Sequence, residues 1–394
     1  MPGVEWLELA VRWIHVIAGI AWIGTSFYFI RLNAVLKPGA DPIEGVHGEA
    51  WEVHGGGFYR VAKYRVAPGR LPSELHWFKW EAYATWLSGA SLLVLVYYLS
   101  ADAFLLDRSV SDIGPGTGIA IGIAAIIGGW LLYEALCRTP LVERSGLFAV
   151  VGLVVATGAA WVLSQWISGR AAYIHVGAAV GTIMAANVFL VIIPAHRKLV
   201  AAIEAGGEPE AWRGIAAARR SLHNNYLTLP VVFLMISNHY PMTYAHPLGW
   251  LILGALALVG GWIRHYYNLR HAGRNRPWML AVGAAGLGAV ALLATAGTPE
   301  PTAAGASAAP VDFREVRDVI AVRCAVCHSA HPVHDLFEAP PGGITFDTAE
   351  EILARADEIH AVTVETRIMP LGNLTGMTEE ERALVGRWSS SRSQ

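Results

Sequence analysis

The stretch AAYIHVGAAVGTIMAANVFLVII (171–193) holds twenty-three residues without one Asp, Glu, Lys or Arg. About twenty apolar residues in a helix cross the hydrocarbon core of a bilayer, and a soluble domain rarely supports so long an uncharged run. Similar runs of about 16–23 residues recur at 13–30, 82–99, 118–136, 147–163, 248–263 and 278–296. An eighth, 227–237, is short and spans only if 221–226 extend it within the bundle, where Asn224 and Asn225 must find partners. The composition agrees. Of 394 residues, 54% are hydrophobic and only 15% charged, and the mean hydropathy is +0.41. Fifteen Trp suit aromatic belts at the two membrane interfaces. A net charge of −2 gives no support to nucleic-acid binding. The expected fold class is all-α: a polytopic membrane helical bundle of about eight transmembrane helices.

Loop charges orient the bundle. The connections 31–81, 137–146, 194–220 and 264–277 carry eighteen Lys or Arg, whereas the opposite ends carry Arg12, Arg108 and Arg170 alone. The positive-inside rule places the basic loops in the cytoplasm and both termini outside a bacterial inner membrane. The first apolar run lacks a basic leader and a cleavage site, so it reads as a helix rather than a removable signal.

After residue 296 comes GTPEPTAAGASAAP (297–310), a small-residue linker with a reach of about 20 Å. Residues 311–394 carry fourteen acidic residues against eight Arg and no Lys, and read as a small helical soluble module. The domains are therefore a membrane part (1–296), a flexible linker (297–310) and the module (311–394). Within the module stands Cys324-Ala-Val-Cys327-His328. Two thiols one helical turn apart, followed by an imidazole, form the attachment pattern of c-type haem. His328 is the expected first axial ligand and Met369, before Pro370, the second, because a thioether raises the potential. Met377 is the rival thioether, but it adjoins a helix start marked by Thr378 and Glu381. Zinc with His331 and His334, or a redox dithiol, are the other readings of the CxxC. Haem c is attached outside the cytoplasmic membrane, which is where the loop charges independently put residue 324.

Ionisable groups inside apolar helices are functional candidates, since a charge at a helix centre costs roughly 2.5–3.5 kcal/mol. His15 and His175 sit at matching depths in similar contexts, WIHV (13–16) then Gly24-Thr25, and YIHV (173–176) then Gly181-Thr182. With His76 and His223 before the second and sixth helices, a weak four-plus-four repeat is visible. Facing imidazoles ligate haem b well, so His15 and His175 are the expected haem b ligands, with His239 and His246 as substitutes. On the basic side, HGGGFY (54–59), HWFKWE (76–81), HNNY (223–226) and RHYYN (264–268) gather aromatic, amide and cationic side chains. They suit a flat, polar, anionic heterocycle. An interfacial helix with snorkelling basic residues accounts for the same composition. Glu81 and Glu134 need partners.

The segments AWEVHGGGFYRVAKYRVAP (50–68), LHWFKWEAYATWLSG (75–89), HNNYLTLPVVFLMISNHYP (223–241) and MPLGNLTGMTEEER (369–382) resemble the integral-membrane bacterial urate oxidases that carry a C-terminal cytochrome c. The first helix, IHVIAGIAWIGTSFYFIRL (14–32), is also similar to the membrane protoporphyrinogen oxidase family, whose first-helix His is regarded as a haem b ligand. The first resemblance implies oxidation of urate to 5-hydroxyisourate, with a class I cytochrome c fold for the module. Urate bound at the cytoplasmic mouth would need a base there to take a proton, and Glu81, His76, His223 and His265 are the candidates. The substrate-binding candidates are His54, Trp77, Lys79, Asn224, Tyr226 and Arg264. Electrons would leave through haem b and haem c to a respiratory oxidase or soluble cytochrome rather than make peroxide. The competing readings are an electron-carrying cytochrome subunit, a porphyrinogen oxidase and a transporter with a redox partner.

Overall fold

The structure is a computed structural model that describes residues 2–39, 43–64, 68, 71–296 and 311–391. The linker expected at 297–310 lies outside the described residues.

Eight long helical rods are present among the described residues. Helix α1 (Pro2–Val35) is followed by strands β1 (Val46–His54) and β2 (Gly57–Tyr64), then by α2 (Trp80–Leu92), which continues as a π-helical turn, Leu93–Tyr98. A short α3 (Ala101–Phe104) leads to α4 (Pro115–Cys137) and α5 (Ser145–Leu163). The fifth rod is α6 (Gly169–Ala186), a π-helical segment Asn187–Ile192, and α7 (Ile193–Glu204). Helix α8 (Ala211–Ile236), short α9 (Pro241–Tyr244), α10 (Gly249–His271) and α11 (Trp278–Ala296) complete the bundle. Five rods are long and apolar enough to cross a membrane by length and composition. Their outward faces stay apolar: Trp13 is 69% exposed, Ile20 67% and Leu292 71%. A soluble monomer rarely exposes so much apolar surface; lipid accepts it without cost.

Local chemistry sets the rod ends and irregularities. Ser168 caps α6 by accepting the Ala171 N–H at 3.2 Å. Pro194 has no N–H to give, and its ring crowds the carbonyl one turn back; the π-turn immediately before it widens the helix there. Helix α8 extends well before residue 221, and both its asparagines are partnered: Asn224 donates to the Met184 carbonyl, and Asn225 accepts from Arg264.

The connection between the first two rods corrects the sequence reading. Residues 46–64 form neither an irregular loop nor an interfacial helix but an antiparallel hairpin, paired from Val46↔Tyr64 to His54↔Gly57. Gly55 and Gly56 turn the corner with φ of 57° and 81°, the left-handed pair that a tight hairpin needs. Glu49 binds Arg60 across the strands through two hydrogen bonds of 2.6 and 2.8 Å.

The module contains α12 (Phe313–Arg323), α13 (Ala349–Ala354), α14 (Ala356–His360) and α15 (Glu379–Ser390). Val316, Ile320, Ile352, Ile359, Val385 and Trp388 form its core. Thr378 and Glu381 form a capping box at the start of α15, and Arg323 reaches from α12 to Glu381 at 3.0 Å. The module rests on the bundle end that bears the 99–114 and 237–248 connections. There the Arg108 N–H donates to the Gly372 carbonyl at 3.1 Å.

Candidate functional site

Four groups of side chains stand out. At the end of the bundle facing the module, His175 is fully buried, with Nδ1 on the Ala171 carbonyl at 2.8 Å and Nε2 on the Tyr98 hydroxyl at 3.1 Å. Its ring presses on Gly122, where a Cβ would lie 2.4 Å from Nε2. His15 lodges in the seam between α1 and α2, with Nδ1 on the Thr85 carbonyl at 2.9 Å and close to Gly89. His15 is thus held by α2, and His175 by a carbonyl of its own helix and by Tyr98. His246 holds the Leu248 N–H through Nδ1 at 3.0 Å, while its Nε2 is buried without a partner.

Toward the opposite end, the π-turn of the fifth rod presents Asn187 to a closed polar network. Asn187 Nδ2 donates to the Tyr133 hydroxyl and to Asn224 Oδ1 at 2.9 and 2.8 Å. Tyr133 in turn donates to His223 Nδ1 at 2.8 Å. Arg220 donates to Asn187 Oδ1 at 3.1 Å and pairs with Glu134 at 2.7 Å. His223 stacks on Phe148 with 4.8 Å between centroids. This answers the question of Glu134's partner. A fully connected network of this kind fixes three rods relative to one another.

The third group is different. Arg264 Nε donates to Asn225 Oδ1 at 2.5 Å, and the guanidinium lies 3.6 Å from the Phe27 ring centroid. Both polar residues are buried, at 3% and 0% exposure. Arg264 Nη2 and Asn225 Nδ2 nevertheless lack hydrogen-bond partners, as do both amide atoms of Asn268 and Nδ1 of His271. Of this group, His271 also lines a cavity of about 690 Å³, together with Arg31 and the strand β1 residues Glu49 to Glu52. Beside this group, Tyr226 donates to His265 Nδ1 at 2.7 Å.

The remaining sequence candidates lie apart. His54 is exposed at the hairpin tip, and His76 is exposed with its ring 4.6 Å from Phe78. Trp77 packs beside Ala82 and Val188, and Lys79 lies over Trp80. Glu81 has a buried Oε2 without a hydrogen-bond partner.

In the module, Cys324 and Cys327 are free thiols following α12. His328 donates Nδ1–H to the Ile344 carbonyl at 3.1 Å, which leaves Nε2 free to bind a metal. Met377 belongs to the apolar core, whereas Met369 is half-buried on the loop before α15. Two thiols, an imidazole with a free nitrogen and one available thioether fit a covalently attached haem. Among the described residues no three His, Cys, Asp or Glu side chains converge on a metal position. Burial pushes the Cys324 thiol up to about 12.

Residues 3–295 match the family model described as urate oxidase N-terminal. The chain belongs to that family. Comparison with curated proteins and with solved structures returned no match. The urate oxidase match covers the whole helical bundle and stops before the module. Within this urate oxidase domain, the structure brings the sequence candidates Arg264, Asn224 and His223 together with Phe27, Tyr133, Asn187 and Arg220, which the sequence reading did not single out. Arg264, Asn268 and His271 recur at i, i+4 and i+7, a one-face spacing that the sequence carries in plain view. Asn187 carries no such signal, since it lies in an otherwise apolar run.

Proposed function

We propose that this chain oxidises urate to 5-hydroxyisourate within a bundle of eight membrane-spanning helices and hands the electrons to its own C-terminal module. One observation carries the reading: a urate oxidase domain is joined in one chain to a CxxCH module that sits directly on it, through the Arg108–Gly372 hydrogen bond. Urate and water give 5-hydroxyisourate, two protons and two electrons, so the reaction needs a proton acceptor and an electron sink. Cys324, Cys327, His328 and Met369 would hold a haem c, which supplies one-electron acceptance there. For the proton, Glu81 is the best placed of the four candidate bases, because its Oε2 is buried and unpartnered. His223 and His265 have Nδ1 engaged by tyrosines, and His76 is exposed. Replacing Glu81 by Gln should lower kcat by about 10²–10⁴-fold and leave urate binding intact, as read by steady-state kinetics beside equilibrium binding.

The basic loops put the hairpin side in the cytoplasm and the module outside the inner membrane. A respiratory oxidase or a soluble cytochrome then takes the electrons onward. His15 and His175 remain the residues proposed to hold a haem b; both nitrogens of His175 are hydrogen-bonded, so it would have to give up its bond to Tyr98 to ligate. The purified full-length chain, given urate under argon, tests the whole reading. Reduction of a c-type absorbance band with two electron equivalents per urate, and no peroxide, is expected. Urate consumption that requires oxygen and forms an equal amount of peroxide would overturn it.

A further inference from the structure

The bundle contains two buried polar clusters that differ in one respect. Around Asn187, the donors and acceptors of five side chains meet each other. Around Arg264 they do not: Arg264 Nη2, Asn225 Nδ2, Asn268 Nδ2 and Oδ1, and His271 Nδ1 are all buried and unpartnered. Among the described residues Arg264 also has no carboxylate within ion-pair distance, although it is almost wholly buried. An uncompensated buried cation costs several kcal/mol, and each unpaired buried amide adds roughly 1–3 kcal/mol. Such a concentration of unmet donors on two adjacent helices is stable at a functional site when a ligand completes it.

The chemistry of the missing ligand follows from the donors. Arg264 offers a positive, planar N–H edge, Asn225 an N–H₂ group beside it, and Asn268 one donor and one acceptor a helical turn away. The Phe27 ring supplies a flat apolar wall. Arg264, Arg31 and Arg270 lie near His271 at the top of the column, where Arg31 is paired with Glu52 at 2.8 Å. An anion with adjacent carbonyl groups on a flat skeleton satisfies the free donors of Arg264 and Asn225. A cavity of about 690 Å³ opens at the His271 end of this helix face, beside strand β1.

We propose that Arg264 and Asn225 form the pincer that binds the anionic, carbonyl-bearing edge of a purine substrate, and that Asn268 and His271 line its path from the hairpin cavity. This rests on the urate-oxidising function proposed above and adds where and how the substrate is held. The pincer explains why an arginine is buried in a membrane-length bundle without a counter-ion: the substrate is the counter-ion.

Equilibrium binding of radiolabelled urate to the purified full-length chain in detergent is the test. The neutral purine hypoxanthine serves as competitor. Asn225→Asp supplies Arg264 with an internal carboxylate and keeps the cluster's shape, so it should fold and yet weaken urate binding at least 100-fold. Arg264→Gln should do the same and abolish the preference for urate over hypoxanthine, and Asn268→Ala should weaken binding about tenfold. Arg220→Lys, in the closed network, should leave the dissociation constant within about twofold. Wild-type affinity in both Asn225→Asp and Arg264→Gln would overturn the pincer while leaving the urate reaction standing. Failure of the wild-type chain itself to bind urate would instead sink the functional reading, and this assignment with it.

Discussion

Single side chains in this bundle are held by very close complementarity, and two of them make good tests. Arg220 is nearly buried and bridges Glu134 to Asn187. Replacing it with Met leaves the Glu134 carboxylate with only the exposed Arg138, which should cost roughly 2–4 kcal/mol. The fall should appear as earlier thermal unfolding in detergent. The double variant with Glu134→Gln should recover more than half of the loss, because the stranded charge is gone. Gly122 is the second case. A Cβ there would stand 2.4 Å from His175 Nε2 and 3.2 Å from the Tyr98 hydroxyl. Gly122→Ala must therefore displace the imidazole and break its bond to Tyr98, at about 1–3 kcal/mol. Unchanged stability would mean that α4 and α6 are packed less closely than the contacts require. At this scale the sequence was half legible. Glu134 announced its need for a partner because a carboxylate cannot remain alone in an apolar helix. Which of several arginines would answer it depends on the rotation of α8, and no one-dimensional pattern carries that.

Elements were legible where a single physical term dominates. The rods could be placed from hydropathy because every backbone group in lipid must be paired within its own helix. The hairpin was not, since GGG at 55–57 and the alternation in WEVH (51–54) were outweighed by an aromatic and basic composition that also suits a membrane surface. The start of α15 was legible in Thr378 and Glu381, whose capping box is present, but Glu381 also does work that its position in the box does not reveal. Burial alone would raise its carboxyl, yet the hydrogen bonds from Arg323 and from the Thr378 N–H outweigh that and hold it below its ordinary value of 4.5. A carboxylate depressed on folding stabilises fully above its unfolded value, and that contribution is lost as the pH falls through the folded value. The packing of α12 on α15 should therefore loosen on acidification below pH 4.5. Arg323→Gln should move that transition upward toward 4.5 and lower the module's neutral-pH stability by about 1–2 kcal/mol. Amide exchange in 311–391 as a function of pH reads both effects.

For the whole molecule, two independent signals select the same end of the bundle. The end that bears few Lys or Arg is the end on which the module sits, through a turn that includes Gly372. The proposed haem c would need an extracytoplasmic module, and the positive-inside rule gives the same expectation for its attachment point. What the sequence did not carry was the contact itself, because backbone carbonyls of α3 form the seat and any residue types supply those. A Cβ on Gly372 would come within 2.8 Å of the Asp102 carbonyl oxygen and 3.0 Å of that of Leu106, and its φ of 56° disfavours a side chain as well. Gly372→Ala should thus lift the 366–379 loop from α3. The Arg108 amide, which donates to the Gly372 carbonyl, should lose its protection from hydrogen exchange, while amides of α12 and α15 keep theirs. If the electrons of urate leave through this contact, reduction of the module by urate should slow at least tenfold in the same variant, with urate affinity unchanged. Lost Arg108 protection with an unaltered reduction rate would separate docking from electron transfer and show that the module collects electrons without resting on α3.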